Sequence, residues 1–200
     1  MIVKVDLVRI VFLLVVALQI SSETINDRLS QLKNSYRDHE AKNLVLFIGD
    51  GMGFSTISAA RALRGQQNPK KLEELLDLEK LPYTGLIDTH CQGVFAAESG
   101  CTASAMFSGI KPTPKTLGVS NVQATSCDSK KLKTSQFSTI LDLAKASGRK
   151  VGIVTNARIT HATPAALYAK TSYRYWYLPQ DIPKDCEVES IGEQFEKKNA

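Results

Sequence analysis

One segment, Asn43-Leu-Val-Leu-Phe-Ile-Gly-Asp50-Gly-Met-Gly53, indicates the fold class of this chain of 200 residues. Its continuous apolar run predicts a strand buried on both faces, as in a parallel sheet. Asp50 follows at the carboxyl end of the strand, where open α/β folds place their ligands. A carboxylate held between glycines at that edge suits a divalent cation, which makes Asp50 a candidate metal ligand. The alternative is an ordinary Asp-Gly turn.

Downstream, helix patterns alternate with strand patterns. Helices are predicted over 53–63, 70–80, 98–107 and 134–147, and further strands over 83–89 and 151–155. This alternation favours a mostly parallel sheet with right-handed crossovers. The charged tail, 182–200, carries no fold signal. The sequence therefore predicts one α/β domain.

The first 22 residues have the layout of a secretory signal peptide. Lys4 and Arg9 flank the start, an unbroken apolar run extends from Ile10 to Leu18, and small polar residues follow. The run is too short to span a bilayer, and an uncleaved signal anchor is the alternative. We expect residues 1–22 to be removed and residues 23–200 to reach the extracellular space or the outer face of the plasma membrane.

Secretion makes the four cysteines candidates for disulfides rather than free thiols. Four cysteines allow three connectivities. Cys91 and Cys101 bracket a short segment, whereas Cys127 and Cys186 bracket a long one. We favour these two pairs.

Charge and glycine patterns argue against two classes of function. The net charge of +5 comes largely from scattered lysines, without a basic stripe interleaved with aromatic residues. Nucleic-acid binding is therefore not expected. The glycines around Asp50 match neither the dinucleotide fingerprint nor a P-loop, which argues against a nucleotide-binding fold.

Three further segments carry residues suited to phosphate chemistry. Ser99, preceded by Glu98 and followed by small residues, suits the first turn of a helix, where hydroxyl and backbone N–H groups can face a phosphate. A serine becomes a nucleophile only beside a base or a metal, and an N-cap serine on a packing helix is the alternative. His161 and Thr163 follow the predicted strand 151–155. Arg174, set among aromatic residues, is either a stacked structural residue or a two-pronged phosphate clamp.

Together these segments resemble the alkaline phosphatase family, specifically its secreted or membrane-anchored animal type. The similarity runs from about Asn43 to Tyr177, with several motifs in the right order. The segment around Asp50 resembles the first metal-binding strand of the family, and Glu98-Ser99-Gly-Cys-Thr-Ala-Ser-Ala resembles its nucleophile segment. The segments around His161 and Arg174 resemble the magnesium and phosphate-arginine segments. The cysteine pattern also fits animal members.

The resemblance implies a three-layer sandwich around a mostly parallel sheet and a hydrolase of phosphate monoesters that acts through a phosphoserine. By position, Ser99 would be the nucleophile and Arg174 would hold two phosphate oxygens, oriented by the acid at position 98. Asp50 would bridge zinc and magnesium. The family also implies a homodimer.

The resemblance further implies a site with two zinc ions and one magnesium ion. Thr163 would give its hydroxyl to magnesium, and His161 would lie beside that metal or its water shell. The chain has three histidines, His39, His90 and His161, and none forms a pair with the local spacing of zinc ligands. We therefore expect an incomplete zinc ligand set.

Two departures from the family pattern modify these expectations. Glu98 stands where the family has aspartate, and its extra methylene predicts a misplaced Arg174 with weaker phosphate binding or slower turnover. The comparison also predicts that residues 23–200 are the N-terminal portion of a truncated domain, with any membrane anchor beyond Ala200. The alternative function is a non-catalytic, secreted, phosphatase-like binding module.

Overall fold

A computed structural model describes residues 42–68 and 75–199. The chain divides into two compact units, Met1–Thr84 and Gly85–Ala200, which are described separately below. The predicted signal peptide, 1–22, lies outside the described residues. Within the described ranges, no helix combines the length and apolarity needed to cross a bilayer.

The first unit contains helix α1, Phe54–Gln67, which confirms and extends the helix predicted over 53–63. A 3-10 helix, Asp77–Lys80, forms the end of the helix predicted over 70–80, whose residues 70–74 lie outside the described ranges. Arg61 on α1 donates to Glu79 with its Nε at 2.8 Å. This ion pair ties α1 to the 3-10 helix.

The segment 43–49, predicted to be a buried strand, is not buried. Leu44 is 79% exposed and Phe47 is 91% exposed. The reason is that no strand pairs with this segment among the residues described, so neither face is covered. The expectation of burial was therefore wrong for these residues.

The second unit contains five α-helices among its described residues: α2 (Ser99–Ser108), α3 (Ser129–Thr134), α4 (Ile140–Ala146), α5 (Ala162–Ala165) and α6 (Ile191–Asn199). A 3-10 helix, Pro179–Asp181, precedes α6. Helix α2 confirms the helix predicted over 98–107. Helix α6 lies in the tail for which no fold was expected. It is held by Ile191, which is fully buried, and by Gln194, whose side-chain amide contacts the backbone of Lys170.

The helix predicted over 134–147 is confirmed only over Ile140–Ala146, because α3 ends at Thr134 and residues 135–139 are not helical. Thr139 sets the later start, because its hydroxyl accepts a hydrogen bond from Asp142 N while its own N–H donates to the Asp142 carboxylate. This reciprocal pair is a capping box that begins α4. Phe137 lies before the cap and donates its N–H to Gly118 O at 3.1 Å instead of to a helical carbonyl.

Small side chains bring α2 and α5 together at the centre of the unit. Ala103 on α2 and Ala162 and Ala165 on α5 are buried, with Phe107 and Leu117 in the same core cluster. Alanine and glycine let two helices approach closely without leaving voids. This core fixes the start of α5 relative to the start of α2.

The described residues form no β-strand, only three isolated antiparallel bridges: Cys91 with Val94, Leu117 with Thr171, and Val119 with Gln136. Gly118 lies between the last two bridges at φ +63, where a Cβ would come within 2.4 Å of Ala169 O. Only glycine fits this position. The strands predicted over 83–89 and 151–155 are unpaired in the described ranges, and the parallel sheet stays a prediction.

Two disulfides cross-link the second unit, and they are the pairs favoured from the sequence. Cys91 is bonded to Cys101, 10 residues away, and Cys127 is bonded to Cys186, 59 residues away. The first links the loop before α2 to the first turn of that helix. The second joins the loop before α3 to the loop before α6.

Candidate active site

Glu98 begins helix α2 and places Ser99 as its first residue. The Glu98 carboxylate accepts hydrogen bonds from Gly100 N at 2.7 Å and from Cys101 N at 3.1 Å. An anion at this end of the helix is also favoured by the helix dipole. Ser99 is half-buried, and Glu98 therefore caps the helix that carries the candidate nucleophile.

The hydrogen bonds by which Glu98 caps α2 change one expectation drawn from the sequence. Backbone N–H groups near Ser99 were expected to face a phosphate. The N–H groups of Gly100 and Cys101 instead donate to Glu98, and that of Thr102 donates to Glu98 O at 3.2 Å. While these bonds persist, those N–H groups do not bind a ligand.

Arg174 reaches the same carboxylate from a position 76 residues further along the chain. Its Nη1 donates to Glu98 Oε2 in a short ion pair. Arg174 is only 6% exposed, and its Nε is buried with no hydrogen-bond partner in the described part of the chain. The guanidinium also lies 5.1 Å from the centre of the Tyr175 ring. Glu98 thus fixes one arm of Arg174 and leaves a buried donor unused.

Lys115 connects Glu98 to Arg174 through its backbone. Its N–H donates to Glu98 Oε1 at 3.2 Å, and its carbonyl accepts from Arg174 N at 2.8 Å. Lys115 has φ +67, after Pro114 in a turn closed by Thr116 N and Thr113 O at 3.2 Å. Left-handed backbone is uncommon for a lysine, so this turn carries strain at the candidate site.

His161 and Thr163 lie at the start of α5, which packs against α2. His161 Nδ1 is buried and has no hydrogen-bond partner among the described residues. A buried, unpartnered imidazole nitrogen is costly, and it is suited to a metal or a bound ligand. The structure thus places two of the residues expected at a metal site at the start of the helix that contacts the helix of the candidate nucleophile.

Asp50 belongs to the first unit. It occupies a turn in which Met52 N donates to Gly49 O at 3.2 Å and Gly51 adopts φ +71. The local conformation is therefore that of an Asp-Gly turn, the alternative noted from the sequence. A metal-ligand role for Asp50 stays a prediction.

One further cluster contains residue types that bind metals, but its two cysteines cannot act as ligands. Cys91, Glu98 and Cys101 offer ligand atoms within 4.8 Å of one another. The two sulfurs are joined in a disulfide, so neither is a thiolate able to bind a metal. The cluster instead shows how close the disulfide lies to the acid that caps α2.

Sequence reasoning missed the contribution of Lys115, because that residue acts through its backbone. The only local signal is Pro114, which favours the second position of a turn. A positive φ at the following residue is usually adopted by glycine or asparagine, so a lysine there gives no sequence signal of this conformation.

Comparison with known proteins identifies the family of this chain. A family model for alkaline phosphatase matches residues 41–198. The chain is 43% identical over 172 residues to the tissue-nonspecific alkaline phosphatase of Gallus gallus, covering 84% of this chain and 32% of that relative. It is 42% identical over 147 residues to the membrane-bound alkaline phosphatase of Bombyx mori, covering 72% and 27%. The chain belongs to the alkaline phosphatase family. It spans about a third of the length of the curated relatives it matches.

Solved structures agree with this assignment. The cold-active alkaline phosphatase of Shewanella superposes with a TM-score of 0.53 at 25% identity, covering 76% of this chain and 39% of that one. The enzyme of Thermus thermophilus superposes with a TM-score of 0.51 at 28% identity, covering 69% and 27%. The fold is therefore alkaline-phosphatase-like.

Proposed function

We propose that this chain carries the nucleophile and phosphate-binding part of a metal-dependent hydrolase of phosphate monoesters. Ser99 is the nucleophile and Arg174 is the phosphate clamp. The observation that carries the proposal is the ion pair between Arg174 and Glu98, the residue directly before Ser99. It brings a buried, always-charged guanidinium to the start of the helix that bears the candidate nucleophile.

The residues of the chain suggest how the phosphoryl group is held and transferred. Arg174 offers the unused Nε–H and part of its guanidinium to phosphate oxygens, opposing the charge on the transferring group. Ser99 Oγ loses its proton and forms a bond to phosphorus while the bond between phosphorus and the ester oxygen breaks, and the leaving oxygen takes up a proton. Water then cleaves the phosphoserine, which releases phosphate and restores the serine hydroxyl.

The available donor atoms fit the expected metals in part. In the second unit, the Thr163 hydroxyl suits magnesium, and His161, whose buried Nδ1 has no partner among the described residues, would lie beside that metal or its water shell. When bound, such ions supply the Lewis acidity that activates a hydroxyl and stabilises a leaving oxygen. A zinc site needs three or four protein ligands. In the described residues, the only group of three candidate ligands is the one that contains the Cys91–Cys101 disulfide.

That incomplete ligand set favours a second candidate function, a phosphatase-like module that binds phosphate esters without hydrolysing them. Zinc and magnesium contents of the purified protein distinguish the two functions, because the enzyme needs bound metal and the module does not. The two disulfides fit an extracellular location for either function. Secretion and the homodimer stay predictions.

The test is hydrolysis of an aryl phosphate by the purified native protein in the presence of Zn²⁺ and Mg²⁺. The proposal predicts metal-dependent turnover that Ser99→Ala abolishes. Ser108→Ala is the matched control, because Ser108 lies at the other end of α2 and should leave turnover unchanged. Turnover that survives Ser99→Ala, or phosphate binding without turnover in a metal-loaded protein, would contradict the catalytic proposal.

A further inference from the structure

Gly100, the second residue of α2, lies against the Glu98 carboxylate. A Cβ built at position 100 would lie 2.9 Å from both Oε1 and Oε2 of Glu98 and 3.0 Å from Leu117 Cδ2. Contacts of 2.9 Å are shorter than Cβ atoms tolerate, so a side chain here would displace the carboxylate. Gly100 is helical and does not have a positive φ, so its role is the space it leaves rather than its backbone freedom.

The length of Glu98 explains why this space is needed. Helix caps are usually short side chains such as Asp, Asn, Ser or Thr, which reach the first-turn N–H groups directly. Glutamate has one more methylene, and Glu98 folds back over the first turn to accept from both Gly100 N and Cys101 N. The folded-back carboxylate then occupies the space that a side chain at position 100 would fill.

The same carboxylate oxygens hold the arginine and the turn. Oε2 accepts from both Gly100 N and Arg174 Nη1, and Oε1 accepts from both Cys101 N and Lys115 N. A displacement of the carboxylate at the helix therefore changes the position of Arg174 as well. Charge-assisted bonds of this kind depend strongly on distance and direction.

We propose that Gly100 is a positioning residue of the phosphate site. Its missing side chain allows a glutamate, rather than a shorter acid, to cap α2 and hold Arg174 at the same time. The effect on phosphate binding rests on the proposed function, whereas the coupling between positions 98 and 100 does not. The residues at these two positions are therefore matched to each other.

A double-mutant cycle on the native protein tests this coupling. The four proteins are the wild type, Gly100→Ala, Glu98→Asp and the double variant. Each is measured for its thermal unfolding midpoint, its affinity for inorganic phosphate, and its KM and kcat for an aryl phosphate. The contact with Leu117 is present in both backgrounds, so its cost cancels in the cycle.

In the glutamate background, we expect Gly100→Ala to lower the unfolding midpoint by about 2–4 °C. We also expect it to weaken phosphate affinity about tenfold, with a matching rise in KM, because a charge-assisted bond is disturbed. In the Glu98→Asp background, the same substitution should change both quantities much less, because the shorter acid does not extend over position 100. Gly152→Ala is the control, since a Cβ at that position meets no atom within 4 Å.

The proposal is supported if the effects of the substitutions at positions 98 and 100 are non-additive, both for the thermal unfolding midpoint and for phosphate affinity. Equal effects of Gly100→Ala in the two backgrounds overturn it. If the metal-loaded wild type binds no phosphate, the proposed function fails. The thermal unfolding midpoints of the four proteins then decide whether positions 98 and 100 are coupled. Non-additive changes in the midpoint then support Gly100 as a positioning residue for the Glu98–Arg174 pair, and additive changes reject this role.

Discussion

Arg174 and Glu98 form an ion pair across 76 residues of sequence, and the same carboxylate caps the helix that begins with Ser99. One acid therefore serves two structural purposes. It orders the first turn of α2 and it satisfies a guanidinium that is almost fully buried. The position of the candidate nucleophile and that of the candidate phosphate-binding arginine are consequently linked.

Glu98→Gln keeps the size of the side chain and removes its charge. We expect the free energy of unfolding to fall by about 3 kcal/mol, because the buried guanidinium of Arg174 loses its counter-charge. Chemical denaturation measures this loss. The matched control is Glu189→Gln, which breaks the exposed pair with Lys197 and should cost much less stability than Glu98→Gln, because water and salt screen an exposed pair. Equal, small losses in both variants would mean that the Glu98–Arg174 pair is not a stabilising one.

Lys115 lies in left-handed backbone, and its side chain is exposed. Lys115→Gly should raise the free energy of unfolding by about 0.5–1 kcal/mol, because glycine adopts this conformation without a steric penalty. Lys115→Val should lower it and weaken phosphate binding, because a β-branched residue resists a positive φ. Lys115→Ala removes most of the side chain without β-branching, so it distinguishes an effect of the lysine side chain from an effect of the backbone conformation. We expect its phosphate affinity to resemble that of the wild type. If Lys115→Val binds phosphate as tightly as Lys115→Gly, the turn does not position Arg174.

Asp142 joins helix α4 to two lysines from other parts of the second unit. It accepts from Lys198 Nζ at 2.8 Å and from Lys170 Nζ at 2.9 Å. Burial acts to raise its pKa, but the hydrogen bonds from Lys198, Lys170 and Thr139 outweigh that effect and lower the pKa to about 2. A carboxyl group with a depressed pKa in the folded state stabilises the fold above its unfolded pKa. That stabilisation is lost as the pH falls through the folded value.

Because Asp142 is partly exposed, solvent screening reduces the value of its pKa shift. We therefore expect Asp142 to contribute about 1–2 kcal/mol at neutral pH and to lose this contribution between about pH 4 and pH 2. Asp142→Asn tests this expectation by chemical denaturation across that range. The gap in stability between the wild type and the variant should narrow as the pH falls. A gap that stays constant from pH 7 to pH 2 would show that the ionised carboxylate is not the stabilising form.

The two disulfides should differ in their effect on stability. In the chain-entropy model, the bridge Cys127–Cys186 with its separation of 59 residues contributes about 4 kcal/mol, and Cys91–Cys101 with a separation of 10 contributes about 3 kcal/mol. Paired Cys→Ser variants measure the two losses separately. Loss of Cys91–Cys101 should also weaken phosphate binding, because that bridge anchors the first turn of α2. If phosphate affinity is unchanged while stability falls, the bridge supports the fold alone.

Much of the candidate site could be predicted from the sequence because it depends on local patterns. A small-residue segment after an acid predicted helix α2, and the spacing of four cysteines indicated both disulfides. The pairing of Glu98 with Arg174 followed from the family resemblance, and the structure contains it. The extra methylene of Glu98 does not prevent this contact, whereas its effect on turnover stays a prediction.

Other features depend on contacts that a local pattern does not encode. The capping box of Thr139 makes α4 begin at Ile140, although the apolar spacing of 134–147 suits a longer helix. Helix α6 is stabilised by its contact with Lys170 rather than by its own composition. The apolar segment 43–49 predicts a strand, but burial requires neighbouring strands, and the segment itself does not say where they lie. The roles of Gly100 and Lys115 depend on free space and on a backbone angle.

The most direct test of the central claim is the identification of the phosphorylated residue during turnover. The metal-loaded native protein is incubated with an aryl phosphate and quenched in acid, and its peptides are analysed by mass spectrometry. We expect a phosphate on Ser99, absent in Ser99→Ala and reduced in Gly100→Ala. Turnover with a phosphate on another residue, or with no phosphorylated peptide under conditions that preserve phosphoserine, would contradict the assignment of Ser99 and Arg174 as the phosphate site.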